Sequence, residues 1–388
     1  MNKYWNSDFW YNFAKFFGKI PIAKKFNFSS PKYKIKPPFI VLSNHTTDYD
    51  AMFIASSFSV PIHFVMSDHI CAKPFGKTIT KMIGAIPITK STKDICAIKE
   101  MIDIKNNGGA LGLFPEGNKS YSGKMCNIKP SIAKLVKKLN IPVVLYTIEG
   151  GYFSSPRWAT TKRKGKIVGK VEKIISPEEL QEKSNDELYQ IIKDCLCVNA
   201  YDRQFKHKIS YVGKDLCKNI ESLLYYCPRC HKFNTLAGYR DQIRCNNCDL
   251  LVELDEYGYF SFSPYGTIED WDESQKKELC AIDFDGDNVI FVDEDCILKK
   301  FVDHYHNKQI GKYLLSLQHK KLIFIPKTPK YEFYSINIQD IENYALEGIN
   351  GLQLCLKNGD IYRLNNKKNT NAVKYIDAIC AINNYQMR

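Results

Sequence analysis

Residues 39–53 read FIVLSNHTTDYDAMF. The apolar run Phe39-Ile40-Val41-Leu42 has the length and composition of a buried strand. A helix is expected over 49–58, so His45 falls where a strand ends and a helix begins. In α/β folds that position commonly carries exposed functional groups. Outward from this stretch, short apolar runs at 38–43, 61–66, 85–89, 110–114 and 142–148 predict strands. Amphipathic stretches at 49–58, 93–106 and 129–139 predict helices. The alternation predicts an α/β domain with a mostly parallel core sheet flanked by helices. Residues 178–224 read as largely helical.

The 388 residues carry 14 cysteines and a formal net charge of +13. The charge is uneven. Residues 1–226 hold 35 Lys/Arg against 19 Asp/Glu, whereas 227–388 hold 20 against 23. The basic half calls for an anionic membrane, an anionic substrate or nucleic acid. Ten cysteines are scattered singly, Cys71, Cys126 and Cys355 among them, and the N-terminus does not read as a signal peptide. A reducing cytoplasm is expected. No apolar run is long enough for a membrane-spanning helix. Within 3–20, Trp5, Phe9, Phe13, Phe16 and Ile20 fall on one helical face, with Lys3, Lys15 and Lys19 nearby. That pattern suits either a helix lying in a membrane interface or one packed on its own domain.

A neutral imidazole can take a proton from an alcohol attacking a carbonyl, and a carboxylate on its other nitrogen fixes the tautomer. Asp48 and Asp50 compete for that partnership. Asp50 can point back from a helix that starts near Asp48, leaving Asp48 as its N-cap. The stretch GAIPITK at 84–90 ends a strand in Lys90, and FPEGNKS at 114–120 follows another with Glu116, Gly117, Asn118 and Lys119. A proline-led strand, IPVV, begins at Ile141. Two cations beside a base suit an alcohol that carries a phosphate.

These four ordered blocks, spread over about 38–150, resemble those of the glycerolipid acyltransferases, the lysophosphatidate (1-acyl-sn-glycerol-3-phosphate) acyltransferase family. The resemblance implies His45 as general base and Asp50 as its orienting acid. It implies that Lys90, Glu116, Gly117, Asn118 and Lys119 bind the acceptor, and that acyl-CoA or acyl-carrier protein is the co-substrate. Backbone N–H groups near Gly117 are candidates to steady the oxyanion. Lys90 and Lys119 stand where the family usually has arginine, Asn118 where it has threonine, and Leu145 where it has a second proline. Lysine is a point charge without arginine's bidentate fork. The stretch GGYFSSPRWATTKRKGK at 150–166 reads either as a site for a cofactor or lipid phosphate or as a solvated basic hairpin.

Cys227-Pro-Arg-Cys230 and Cys245-Asn-Asn-Cys248 have the spacing of a four-thiolate zinc ribbon. Four thiolates leave no open position, so the expected Zn2+ is structural. His231 is an alternative ligand. From about 278 the chain reads as β segments with a closing helix at 370–383, in an order resembling a pleckstrin-homology-like barrel. The expected domains are a membrane-interface segment at 1–37, an acyltransferase domain at 38–224, a zinc ribbon at 225–265 and a β-rich PH-like domain at 278–388. The expected function is O-acyl transfer to lysophosphatidate by an enzyme peripheral to the cytoplasmic face of a membrane. The alternatives are another lysophospholipid acceptor, a nucleic-acid-binding ribbon protein or a scaffold. Nucleic acid is not expected as a partner, because the excess charge lies outside the ribbon half.

Overall fold

The computed structural model describes residues 25–71, 76–90, 94–261, 264–286, 288–366, 371–385 and 387–388. The aromatic segment 3–20 lies outside them, and the 1–37 segment is described only from Lys25. The chain forms two compact units. One runs to Pro156 and includes Arg163–Val212, and the other comprises Arg157–Lys162 and Gly213–Arg388.

The first unit is built on a seven-stranded sheet. Its strands are β1 (Phe28–Ser29), β2 (Ile40–Ser43), β3 (Ile62–Ser67), β4 (Ile86–Ile88), β5 (Ala110–Leu113), β6 (Val143–Glu149) and β7 (Ile167–Ile175), in the order β1-β7-β6-β2-β5-β3-β4. Strands β6, β2, β5, β3 and β4 are all parallel, with Leu42 opposite Leu113 and Leu145. These are the five strands expected from the apolar runs, and the α/β class holds. Alternate residues feed two cores. Ile40 and Leu42 pack with α3 (Ile95–Asn106), α4 (Ser131–Leu139) and α5 (Asn185–Leu196). Phe39 and Val41 pack on the other face with Phe53 and Ile54 of α1 (Asp50–Ser57). α5 starts with a reciprocal cap: Glu187 N–H donates to Ser184 Oγ, and Ser184 N–H donates to the Glu187 carboxylate.

Several elements of this unit were not anticipated, two of them central to its layout. Helix α2 spans Gly76–Ile83, and β7 pairs antiparallel with β6. Its sequence IVGKVEKII hides the strand, because Lys170 and Glu172 on its solvent side pair with each other at 3.1 Å. The helical expectation for 178–224 holds only to His207. Beyond it, Lys208, Asp215 and Asn219 adopt left-handed backbone conformations that break helical continuity, leaving only a short 3-10 turn at Ile220–Ser222.

The second unit contains both the ribbon and the β-rich segment. The ribbon strands β8 (Leu236–Tyr239), β9 (Gln242–Cys245), β10 (Leu251–Leu254) and β11 (Phe260–Ser261) form one antiparallel sheet. Helix α6 (Ile268–Cys280) follows, capped by Thr267 and Asp270. The sequence reading had no helix there, although Ile268, Trp271 and Leu279 bury one face of it. Seven antiparallel strands, β12 (Phe291–Asp303) to β18 (Ile361–Asn366), make the second large sheet, and α7 (Ala372–Asn383) closes the chain fold. Ribbon and sheet share an aromatic core in which Phe233 packs on Phe291, and Phe291 on Tyr375. Trp271 Nε1–H donates to the Tyr226 carbonyl at 2.9 Å. Among the described residues, no helix is long and apolar enough to cross a membrane.

Candidate active site

Parallel pairing brings the C-terminal ends of β2, β4 and β5 to one sheet edge, where an α/β fold presents its functional groups. His45 lies two residues beyond β2, Lys90 two beyond β4, and Glu116–Lys119 follow β5. Asn44 fixes the exit from β2. Its side chain donates to the Ile148 carbonyl at 2.9 Å and accepts from Ile148 N–H at 2.8 Å, so it extends the pairing with β6.

Asp50, and not Asp48, meets the imidazole: His45 Nδ1 lies 2.9 Å from Asp50 Oδ2. Asp50 is the first residue of α1 and is 0% exposed. Its Oδ2 also accepts the N–H of Thr46 at 2.5 Å and of Thr47 at 2.8 Å. Its Oδ1 accepts the hydroxyls of Thr46 at 3.2 Å and Thr47 at 2.9 Å. These donors favour an acceptor-only carboxylate, which makes Nδ1 the protonated ring nitrogen and leaves Nε2 with a lone pair. The imidazole side chain is 21% exposed. Burial holds it below its ordinary pKa of 6.5. Asp50 opposes that shift through its hydrogen bond and charge, while Lys119 and Lys90 reinforce it. The ring is thus neutral near pH 7, as a base must be. Asp48 does not cap the helix; Tyr49 holds the N-cap position without a side-chain bond.

The 114–120 loop clasps His45 by its main chain. His45 N–H donates to Glu116 Oε1 at 2.7 Å, and Ser120 N–H donates to the His45 carbonyl at 2.8 Å. Phe114 stacks on the imidazole with centroids 4.2 Å apart. Glu116 is buried, and its Oε2 accepts Cys126 N–H at 2.6 Å. Burial pushes its carboxyl up to about 8, against the two N–H donors that favour ionisation. Both carboxyl oxygens are thus engaged by backbone N–H groups, so this residue holds the loop to His45. The family resemblance grouped Glu116 with the acceptor contacts, but its two oxygens meet the backbone of His45, 71 positions away, and of Cys126. Gly117 has φ +66°, a left-handed turn suited to glycine, and its N–H donates to the Phe114 carbonyl at 3.1 Å. That amide closes the turn and is not aimed at an oxyanion.

The two expected cations converge. Lys90 Nζ donates to Asn118 Oδ1 at 3.3 Å, and Lys119 Nζ to Asp48 Oδ1 at 2.7 Å. Together with a neutral imidazole they form a site able to hold an anion beside a base. The basic stretch at 150–166 divides between buried and exposed residues. Arg157 is buried and donates to the carbonyls of Leu346 and Gly348, Trp158 and Arg163 are buried, and Lys162 and Lys164 are exposed.

In the second unit, the Sγ atoms of Cys227, Cys230, Cys245 and Cys248 all lie within 4.8 Å of one another. Cys227 and Cys248 are 3.7 Å apart, as are Cys230 and Cys245. A tetrahedral metal with bonds of about 2.3 Å to sulfur requires sulfur–sulfur edges of about 3.8 Å, so the cluster fits a metal ion. His231 turns away: its Nδ1 is 2.6 Å from the Tyr226 hydroxyl.

Residues 24–149 match the family described as Acyltransferase. The chain is similar to the 1-acyl-sn-glycerol-3-phosphate acyltransferase of Borreliella burgdorferi, with 24% identity over 116 residues, covering 29% of this chain and 46% of that protein. It is likewise similar to the enzyme of that name from Saccharomyces cerevisiae, with 24% identity over 165 residues, 41% of this chain and 54% of the relative. The chain thus spans about half the length of these curated relatives. Among solved structures, the 1-acyl-sn-glycerophosphate acyltransferase PlsC of Thermotoga maritima aligns with a TM-score of 0.39 and 21% identity, over 51% of this chain and 83% of that one. Residues 24–149 thus carry the match to the Acyltransferase family, and the curated proteins to which this chain is similar are 1-acyl-sn-glycerol-3-phosphate acyltransferases.

Proposed function

We propose that this chain is an O-acyltransferase that moves a fatty acyl group from acyl-CoA or acyl-carrier protein to the free hydroxyl of lysophosphatidate, giving phosphatidate. The observation that carries this reading is His45 Nδ1 held at 2.9 Å by buried Asp50, beside two lysines. The names of the curated relatives support the acceptor class. The acceptor phosphate binds at Lys90 and Lys119, with Asn118 alongside. His45 Nε2 takes the proton from the acceptor hydroxyl as its oxygen attacks the thioester carbonyl carbon. The carbon–sulfur bond breaks, and the imidazolium returns its proton to the leaving thiolate. Asp50 steadies the imidazolium between the two transfers.

The tail has a separate role. We assign one structural Zn2+ to Cys227, Cys230, Cys245 and Cys248, whose four thiolates complete a tetrahedron and leave no open coordination position. The seven-stranded sheet with its closing helix resembles a PH-like barrel in element order. The enzyme acts at the cytoplasmic face of a membrane, and the basic first half of the sequence provides the attraction to an anionic surface. Labelled acyl-CoA and acyl-carrier protein, offered to the purified full chain with a panel of lysolipids on anionic vesicles, test the reading. Transfer to a phosphate-bearing lysolipid supports it. Absence of transfer to every lysolipid, with both donors, refutes it.

A further inference from the structure

Two lysines stand beside His45. Both lower the pKa of the imidazole, so the charge of each reaches the base. Lys90 donates to the Asn118 amide oxygen, and Lys119 forms an ion pair with Asp48 at 2.7 Å. The Lys119 side chain is 12% exposed and that of Asp48 73%, so the carboxylate lies over the ammonium on the solvent side. A phosphate that reaches Lys119 must displace this carboxylate or sit against it.

Resting on the acyltransferase reading above, we propose that Asp48 sets acceptor selectivity, acting through Lys119. Its negative charge opposes a phosphate monoester, which carries up to two negative charges. A lysophospholipid whose phosphate bears an ammonium headgroup meets no such opposition, since its phosphate can face Lys90 while its cation faces Asp48. The site therefore distinguishes acceptors by headgroup charge, and Asp48 moderates the preference for lysophosphatidate. The pair is solvent-exposed on the Asp48 side, so the effect is modest. Exposed ion pairs of this kind correspond to a change of up to about fivefold in an equilibrium constant.

The test compares wild type, Asp48→Asn and Asp48→Glu on two acceptors, lysophosphatidate and lysophosphatidylethanolamine. Asp48→Asn is expected to lower KM for lysophosphatidate about two- to fivefold. KM for lysophosphatidylethanolamine should hold or rise, and Asp48→Glu should restore the wild-type ratio. In a Lys119→Ala background, Asp48→Asn should give no further shift in that ratio, because the two residues act as a pair. An unchanged or raised KM for lysophosphatidate, or an equal fall for both acceptors, overturns the proposal while leaving the acyltransferase reading in place. Wild-type transfer to neither acceptor overturns that reading and this inference together.

Discussion

Replacing Asp50 with asparagine separates what its charge does from what its position does. Three N–H donors converge on Oδ2, from His45, Thr46 and Thr47, while only the Thr46 and Thr47 hydroxyls meet Oδ1. An asparagine therefore places its amide oxygen at Oδ2. Its NH2 group falls at Oδ1, where both hydroxyls can turn to accept. His45 Nδ1–H keeps an acceptor, and the tautomer survives. Only the ionised partner of the imidazolium is lost. Exchanging a charged acceptor for a neutral one removes about 1–2 kcal/mol, or about 5- to 30-fold in rate. An amide in the opposite orientation would force the wrong tautomer and cost about 10⁴. The hydrogen bond and charge of Asp50 both raise the pKa of His45, so removing the charge lowers it further. The base is neutral above its pKa, and activity falls as pH drops through it. The acid limb of the rate profile in the asparagine variant should therefore move to lower pH. Steady-state acyl transfer between pH 5 and 8 reads both effects. A loss near 10⁴, or an acid limb moved upward, refutes the argument from converging donors.

Glu116→Gln retains one acceptor oxygen for two backbone N–H donors, so either His45 or Cys126 loses its partner. A lower kcat with little change in the acceptor KM is expected; a selective rise in KM would return Glu116 to the acceptor site. Arg388→Ala leaves Asp272 and Asp377, both fully buried, without their shared partner at 2.7–2.8 Å. Breaking such a pair costs about 3–5 kcal/mol, and denaturant unfolding of the second unit should show it at pH 7. Burial opposes ionisation of Asp272, but Arg388 and Lys276 outweigh it and hold its carboxyl at about 2. The stabilisation from Asp272 is thus complete above about pH 4 and is lost as pH falls toward 2, so the deficit of the variant should narrow over that window. Cys227→Ser should release zinc and raise hydrogen exchange beyond 225–265 into α6 and α7, because Tyr225 donates to Asp377 and Tyr226 accepts from Trp271. Exchange confined to the ribbon would contradict that coupling.

The parallel core and the His45–Asp50 contact were legible because their signals are local. Phe39–Leu42 is a short apolar run, and His45 and Asp50 are five residues apart in one turn. What escaped the sequence depends on distant partners. Glu116 is fixed by His45 and Cys126, and Asn44 by Ile148, 104 positions away. The choice between Asp48 and Asp50 turned on where α1 begins. Asp50 opens the helix, with its own carboxylate gathering the N–H groups of Thr46 and Thr47. Arg157 and Arg163 read as part of a phosphate site or of a solvated hairpin, yet both are buried, and Arg157 donates to carbonyls about 190 residues on. Helix α6 was masked by its charges, although the Thr267–Asp270 cap is a local signal that could have revealed it.

The most direct test of the account is the acyl-transfer rate of His45→Ala against wild type, measured with lysophosphatidate and a saturating acyl donor. Alanine keeps the main-chain bonds from His45 to Glu116 and Ser120, so the variant should fold and melt close to wild type. Loss of general-base catalysis predicts a fall of about 10²–10⁴ in rate. A folded His45→Ala protein that transfers acyl groups within a few-fold of wild type would contradict the assignment of His45 as the base.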